Sequence, residues 1–256
     1  MASRVNAPAK APESTKPSRR MSKTVVLIIA ILACGTIALF TTIVVVAHTN
    51  SIRASGIEYE NLRELAGDLE TGYEGSGNIQ LSAAEQEMRQ INPDYVAWIR
   101  IDGTNIDYPV VRGNDNMHYL KTSFYGEANI IGSIFMDYRN VGESLPHIIL
   151  YGHNLQQGGM FTDLLKFFNP QFLEENDRIT LIVNDEVIEY EIFSVRLSDI
   201  TDPAYDLDFG EPRYFARFAN RVNAPLQATQ ILTLSTCTRG GSDDARVIIQ
   251  AYRLFD

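Results

Sequence analysis

Residues 96–111 read VAWIRIDGTNIDYPVV, two β-rich runs on either side of a short polar stretch. Valine, isoleucine, tryptophan and tyrosine are enriched in strands, and Asp-Gly between two such runs is typical of a β-hairpin. The sequence therefore predicts strands over residues 96–101 and 106–111, joined by a turn over residues 102–105.

Six more β-rich runs follow towards the C-terminus, at residues 133–136, 147–151, 178–183, 187–197, 230–236 and 246–254. Between them, helical patterns occur at residues 158–168 and at residues 211–222, the latter between the sixth and seventh strands. Because most strands adjoin without an intervening helix, the pattern disfavours an alternating βαβ fold. It favours a mainly β fold, an eight-stranded barrel with peripheral helices.

Two further helical segments precede the hairpin, at residues 57–69 and 82–91, with a glycine-rich stretch at residues 71–77 between them. Ser82 followed by Glu85 is a capping-box pattern, in which each side chain hydrogen-bonds the backbone N–H of the other residue. We expect the second helix to begin there.

Residues 24–47 form an uncharged apolar segment. At about 1.5 Å per helical residue, the segment is long enough to cross a bilayer core. Residues 1–23 carry six Lys or Arg against Glu13 alone, a net charge of +5, which predicts a cytoplasmic N-terminus. A cleaved signal peptide is the alternative, although apolar regions of signal peptides are shorter, about 7 to 15 residues.

The chain is therefore predicted to contain a cytoplasmic basic segment (1–23), a single-pass membrane anchor (24–47), an extracellular stalk with the first helix (48–81) and a globular domain (82–256). Beyond residue 23 it has 16 Lys and Arg against 31 Asp and Glu, a net charge of −15. This surface argues against nucleic acid as a partner.

Cys237 is the only cysteine outside the apolar segment, and it ends the strand-like run ILTLSTC at residues 231–237. A single thiol in an exported domain cannot form an internal disulfide, so Cys237 is either a small buried hydrophobe or a reactive group. Two other reactive residue types border strands: Arg246 begins the last strand, and His153 ends the run HIILYGH.

A family resemblance rests on these elements. The sequence TLSTCT at residues 233–238, followed by Arg246 and preceded by YGHN at residues 151–154, resembles the signature of sortases. The sequences GSIFMDYRN at residues 132–140 and GMF at residues 159–161, with the helix-bearing insertion before the cysteine strand, resemble class B sortases. The likeness extends over residues 82–256, most of the predicted exported part.

The resemblance implies a sortase-type β-barrel and a cysteine transpeptidase of the Gram-positive cell surface, with neither cofactor nor metal. Such an enzyme cuts a sorting motif of the Asn-Pro-x-Thr type in secreted proteins after the threonine. It then transfers the acyl group to an amine of the cell wall peptide. The globular domain at residues 82–256 would be the catalytic domain, on the outer face of the cell membrane.

The resemblance also implies a role for each of three residues. Cys237 would attack the threonine carbonyl and form a thioester, and His153 would exchange protons with the leaving and incoming amines. Arg246 would hold the developing oxyanion or the peptide carbonyls with its planar fork of donors. The structural alternatives are a turn hydrogen bond for His153 and a surface ion pair with Asp243 or Asp244 for Arg246.

Substrate-contacting residues are suggested in the same way. Asn116 and Leu120, four residues apart, match a class B pattern that contacts the sorting peptide, and Ser235 lies on the same strand face as Cys237. Thr201 and Tyr205, in the insertion, are placed by spacing alone.

The chain departs from the class B pattern at Arg239, where some members carry an acidic residue, so the resemblance does not imply that an aspartate assists His153. The glycine-rich residues 239–244 are also expected to move, so that Arg246 could reach its working position only when substrate binds. The remaining histidines, His48, His118 and His147, are expected to have no catalytic role.

Other functions stay open at the level of sequence. A cysteine peptidase would pass the acyl group to water, but no papain-like or caspase-like context surrounds Cys237. A membrane-tethered binding module with an inactive sortase-like barrel is disfavoured, because the cysteine, histidine and arginine are all present. A class B-type enzyme that polymerises pilins would use a pilin lysine as acceptor, and sequence does not separate it from wall anchoring.

Overall fold

The computed structural model describes residues 22–67, 82–142, 145–210, 212–238 and 244–255. The basic residues 1–21, the glycine-rich residues 71–77 and residues 239–243, including Arg239 and Asp243, lie outside this part of the chain.

Eight strands in the described part close into one barrel, as the sequence predicts. The barrel order is β1-β2-β3-β4-β7-β8-β6-β5. The pairs β2/β3 and β4/β7 are parallel, and the other neighbours are antiparallel. The strand bounds are β1 Tyr95–Arg100, β2 Asp107–Val111, β3 Ile134–Met136, β4 His147–Tyr151, β5 Arg178–Val183, β6 Glu186–Asp199, β7 Ile231–Cys237 and β8 Ala245–Arg253.

The predicted hairpin is the antiparallel pair β1/β2, and it contributes the largest core side chain. Trp98 is fully buried, and its indole Nε1 donates to Asp107 Oδ1 on the facing strand at 2.6 Å. This hydrogen bond satisfies the only polar atom of the ring, so the rest of the indole stabilises the core by burial.

A single helix, α1 (Lys23–Ala66), contains both the apolar segment and the first predicted helix. It spans two compact units, residues 1–49 and residues 50–256. In the first unit, the helix is long and apolar enough to cross a membrane, a criterion that a signal sequence also meets. In the second unit, Tyr59, Leu62 and Ala66 are buried in the core around the barrel, so residues 50–66 are part of the globular unit.

Helix α2 (Ala83–Ile91) begins at Ser82 as predicted, with Ser82 Oγ accepting from Glu85 N at 3.1 Å. The second hydrogen bond of a capping box, from the Ser82 N–H to the Glu85 carboxylate, is replaced by other contacts. Ser82 N donates to Asp185 Oδ2 at 2.6 Å, and the Glu85 carboxylate pairs with Arg89 one turn later at 2.7 Å.

The helix predicted over residues 158–168 is shorter, a 3₁₀ helix over Thr162–Phe168, because Gly158 and Gly159 have φ angles of +88° and +92°. Pro170 comes two residues after the end of this 3₁₀ helix. It is the first residue of α3 (Pro170–Glu175), a position where its missing N–H has no consequence. The predicted helix in the insertion is α4 (Pro212–Arg221), which follows a 3₁₀ turn over Pro203–Tyr205.

Candidate active site

The pairing of β4 with β7 brings the predicted histidine and cysteine to one end of the barrel. The two strands are parallel, with Tyr151 opposite Ser235. His153 and Cys237 each follow two residues later, so both leave the barrel at the same edge. Strand β8 returns from that edge antiparallel to β7 and places Arg246 directly opposite Cys237.

Cys237 is exposed at the end of β7. Its carbonyl oxygen accepts a hydrogen bond from Asn154 Nδ2 at 3.0 Å. Because Asn154 follows His153 in the chain, this bond ties the histidine segment to the end of the cysteine strand.

His153 is half-buried, with Nε2 2.8 Å from the carbonyl oxygen of Leu120. A carbonyl oxygen only accepts hydrogen bonds, so Nε2 carries a proton in this arrangement. Arg246 is also half-buried, and its Nη1 donates to the Ala245 carbonyl oxygen at 3.0 Å.

The three side chains line one open cavity of about 390 Å³, here called the groove. Its walls are mainly aliphatic, aromatic and hydroxyl-bearing. They come from the segment after β2, the ends of β3, β4 and β7, the start of β8 and the insertion after β6: Asn116, Met117, Leu120, Phe135, Tyr151, Gly152, His153, Ile200, Tyr205, Ser235, Thr236, Cys237 and Arg246.

Four of the five suggested substrate residues, Asn116, Leu120, Tyr205 and Ser235, lie in these walls. The fifth, Thr201, does not line the groove. It is exposed, and its Oγ1 donates to Asp199 Oδ1 at 2.6 Å, while its neighbour Ile200 lines the groove instead.

Sequence reasoning missed a layer of side chains that supports one wall of the groove. Tyr151 OH donates to the fully buried carboxylate of Asp137 at 2.9 Å, and the Tyr151 ring stacks on that of Tyr205 with centroids 6.4 Å apart. Tyr205 OH is in turn 2.7 Å from Ser235 Oγ. Tyr151 and Asp137 both lie in stretches that resemble class B, but nothing local in the sequence indicates that they meet.

His118 and His147 do not line the groove. His147 is buried, with Nδ1 donating to the Asp206 carbonyl at 2.8 Å and Nε2 2.8 Å from Thr233 Oγ1. Burial lowers the pKa of His147 to about 4. His118 is exposed in a 3₁₀ turn, and the side chain of His48 lies outside the described part. Among the described residues, no group of three or more His, Cys, Asp or Glu side chains could hold a metal ion.

Comparison with known proteins gives the family. The model of the sortase domain matches residues 99–254. Sortase B of Listeria monocytogenes is 34% identical over 177 residues, which cover 64% of this chain and 72% of that protein. The Staphylococcus aureus sortase B–substrate complex superposes with a TM-score of 0.70 at 26% identity, covering 79% of this chain and 97% of that one.

A second solved structure, of sortase B complexed with triglycine, superposes with a TM-score of 0.69 at 26% identity and covers 79% of this chain and 98% of that one. The chain therefore belongs to the sortase family of cysteine transpeptidases, and these relatives place it in class B.

Proposed function

We propose that this protein cuts a sorting motif of the Asn-Pro-x-Thr type after its threonine and joins the acyl group to an amine of the cell wall peptide. The observation that carries the proposal is the convergence of Cys237, His153 and Arg246 on a groove that also contains Asn116 and Leu120. The substrate and triglycine complexes of related sortases support a peptide donor and an amine acceptor.

The chemistry proceeds in two acyl transfers. The sulfur of Cys237 attacks the threonine carbonyl carbon, the peptide C–N bond breaks, and His153 protonates the leaving amine. The incoming amine then attacks the thioester, gives its proton to His153 and releases the thiolate. Because the Leu120 carbonyl holds the proton on Nε2, Nδ1 is the ring nitrogen that exchanges protons with the amines.

Arg246 stabilises the charge that develops on the threonine carbonyl oxygen. Its place opposite Cys237 in the β7/β8 ladder supports this role, because it brings a permanent cation to the strand end that carries the nucleophile, and its planar fork can hold two oxygens at once.

The apolar half of α1 anchors the enzyme in the cell membrane with its N-terminus in the cytoplasm. The length of residues 24–47 and the net charge of +5 before and at the start of the helix support this topology. The barrel then lies outside, where secreted substrates pass.

The test incubates the full chain in detergent with an Asn-Pro-x-Thr peptide library and with triglycine or a lysine peptide as amine, and identifies products by mass spectrometry. We expect an acyl adduct on Cys237 and a peptide–amine product. Cys237→Ala should abolish both, whereas Cys34→Ala, which removes the only other cysteine, should retain them.

Arg246→Lys should lower turnover by about 10²-fold or more, because lysine keeps the charge and loses the fork. Arg178→Lys, in a surface ion pair with Glu191 on β6, is the matched control and should keep wild-type rates. Hydrolysis alone in the presence of amines would indicate a peptidase, and transfer to the lysine peptide only would assign the enzyme to pilin polymerisation.

A further inference from the structure

We propose that Asp137 is a positioning residue of the groove, whose buried carboxylate holds Asn116 and Tyr151 in the orientations that receive the sorting peptide. The inference rests on the proposed function, since it takes the groove to be the peptide site.

Asp137 follows β3 and is fixed by both its backbone and its side chain. Its N–H donates to the Ile149 carbonyl on β4 at 2.9 Å, and its carboxylate is fully buried. Arg139 donates a hydrogen bond to each oxygen of the carboxylate, from Nε to Oδ1 at 2.9 Å and from Nη2 to Oδ2 at 2.8 Å. Burial alone would raise the pKa of Asp137, but the hydrogen bonds from Arg139, Tyr151 and Asn116 outweigh it, and the pKa lies below its usual value.

One oxygen of this carboxylate reaches two separate walls of the groove. Oδ2 accepts from Asn116 Nδ2 at 3.0 Å and from Tyr151 OH at 2.9 Å. An ionised carboxylate only accepts, so both partners are donors. The other end of the Asn116 amide accepts from Tyr138 N at 3.0 Å, which leaves the amide a single orientation.

The orientation of Tyr151 also affects the positions of Tyr205 and Ser235 in the same wall. Its ring lies parallel to that of Tyr205, within 6°, and Tyr205 is hydrogen-bonded to Ser235. A neutral residue at position 137 would free the Asn116 amide to turn and the Tyr151 ring to tilt. The groove would then lose preorganisation for peptide while Cys237, on β7, keeps its place.

The test measures kcat and KM of the full chain in detergent with an Asn-Pro-x-Thr peptide. Asp137→Asn keeps the size of the side chain and removes its charge. We expect KM to rise about tenfold or more, the loss expected for two charge-assisted hydrogen bonds, with a much smaller change in kcat. The rate at which iodoacetamide alkylates Cys237 should stay at the wild-type value, because that small reagent does not use the wall.

Tyr151→Phe is a second test of the inference, because it keeps the ring and deletes only the hydroxyl. It should raise KM as well, and the double variant should show less than the sum of the two effects, since both single variants weaken the hydrogen bond between Tyr151 and Asp137. If Asp137→Asn does not fold, the KM of Tyr151→Phe decides. Asp185→Asn is the matched control, a buried carboxylate that holds the start of α2 outside the groove, and should leave KM unchanged.

Unchanged KM in the folded Asp137→Asn or in Tyr151→Phe would overturn the inference while the proposed function stands. An equal rise in KM for Asp185→Asn would overturn it too, since any loss of a buried carboxylate would then have the same effect. The proposed function itself would be overturned if the wild-type chain did not turn over the peptide and the Cys237→Ala variant did not bind it.

Discussion

Two histidines at opposite ends of one strand have different chemistry because of their neighbours. His147, at the start of β4, is enclosed by Phe218, with ring centroids 4.5 Å apart, and by Phe209. Its Nδ1 donates to a carbonyl, so its Nε2 accepts the hydroxyl proton of Thr233, whose oxygen accepts from Gln250. This chain of hydrogen bonds is satisfied by the neutral ring. His153, past the other end of the strand, lines the groove, where the proposed function uses it to exchange protons.

His147 should make the stability of the fold depend on pH. Burial holds its folded pKa at about 4, below the value of about 6.5 in the unfolded chain. The unfolded state therefore binds more protons between these two values. The contribution is fully present above pH 6.5 and is lost as the pH falls towards 4, by about 3 kcal/mol in all.

The measurement is urea unfolding of the full chain in detergent at pH 7.5 and 4.5, followed by the fluorescence of Trp98, the single tryptophan. His147→Gln should lose less stability than wild type between the two pH values, by about 2 to 3 kcal/mol. His118→Gln, at an exposed site, should keep the wild-type difference. Equal pH dependence in all three proteins would exclude His147 as the titrating group.

At the scale of elements, the site depends on how tightly the end of β4 packs. Gly152 links the strand to His153, and a Cβ atom there would lie 2.8 Å from Cγ of Phe161. Phe161 is fully buried, and its N–H donates to the His153 carbonyl at 3.0 Å. The ring therefore has no room to retreat without moving the histidine segment.

Gly152→Ala should destabilise the fold by about 1 to 3 kcal/mol, the usual result of overpacking, and lower transpeptidation by displacing His153. Thermal unfolding and the turnover assay measure the two effects. Adding Phe161→Leu should restore part of both by making room for the methyl group. Gly56→Ala is the control, with no atom within 4 Å of its added Cβ, and should be neutral or slightly stabilising. Wild-type behaviour of Gly152→Ala would show that the segment moves freely.

At the scale of the whole molecule, residues 50–66 of α1 belong to the unit that contains the barrel. Tyr59 OH donates to the Gly132 carbonyl at 2.8 Å, and its ring meets that of Tyr108 edge to face at 5.3 Å. Arg63 Nε donates to the Asp107 carbonyl on β2 at 3.0 Å. These residues lie before residue 82, at which the sequence predicts that the globular domain begins.

Two truncations test this boundary. A chain beginning at Asn50 should keep the barrel stability of the full chain, whereas a chain beginning at Ser82 should lose at least about 3 kcal/mol, because burying Tyr59 and Leu62 contributes about 1.5 to 3 kcal/mol each. Urea unfolding followed by Trp98 fluorescence compares them. Equal stability of the two chains would show that residues 50–66 do not stabilise the barrel.

The sequence by itself determined the eight strands, the hairpin, the start of α2 and the candidate cysteine, histidine and arginine. The strands, the hairpin and the start of α2 follow from strand composition, turn residues and a capping residue, which are local properties of the chain. The count of cysteines singles out Cys237, and the resemblance to sortases singles out His153 and Arg246.

The prediction from sequence that the helix ending at Phe168 begins at residue 158 was wrong, because Gly158 and Gly159 have positive φ angles. Only the Ser82 half of the capping box forms, because the Ser82 N–H donates to the distant Asp185.

Only the tertiary structure decided that β4 pairs in parallel with β7, that α1 packs against the barrel, and that Asp137 joins Asn116 to Tyr151. Propensity acts over a few neighbouring residues, whereas each of these contacts joins segments that are brought together by strand register and closure of the barrel. The supporting layer of the groove therefore has no local signature.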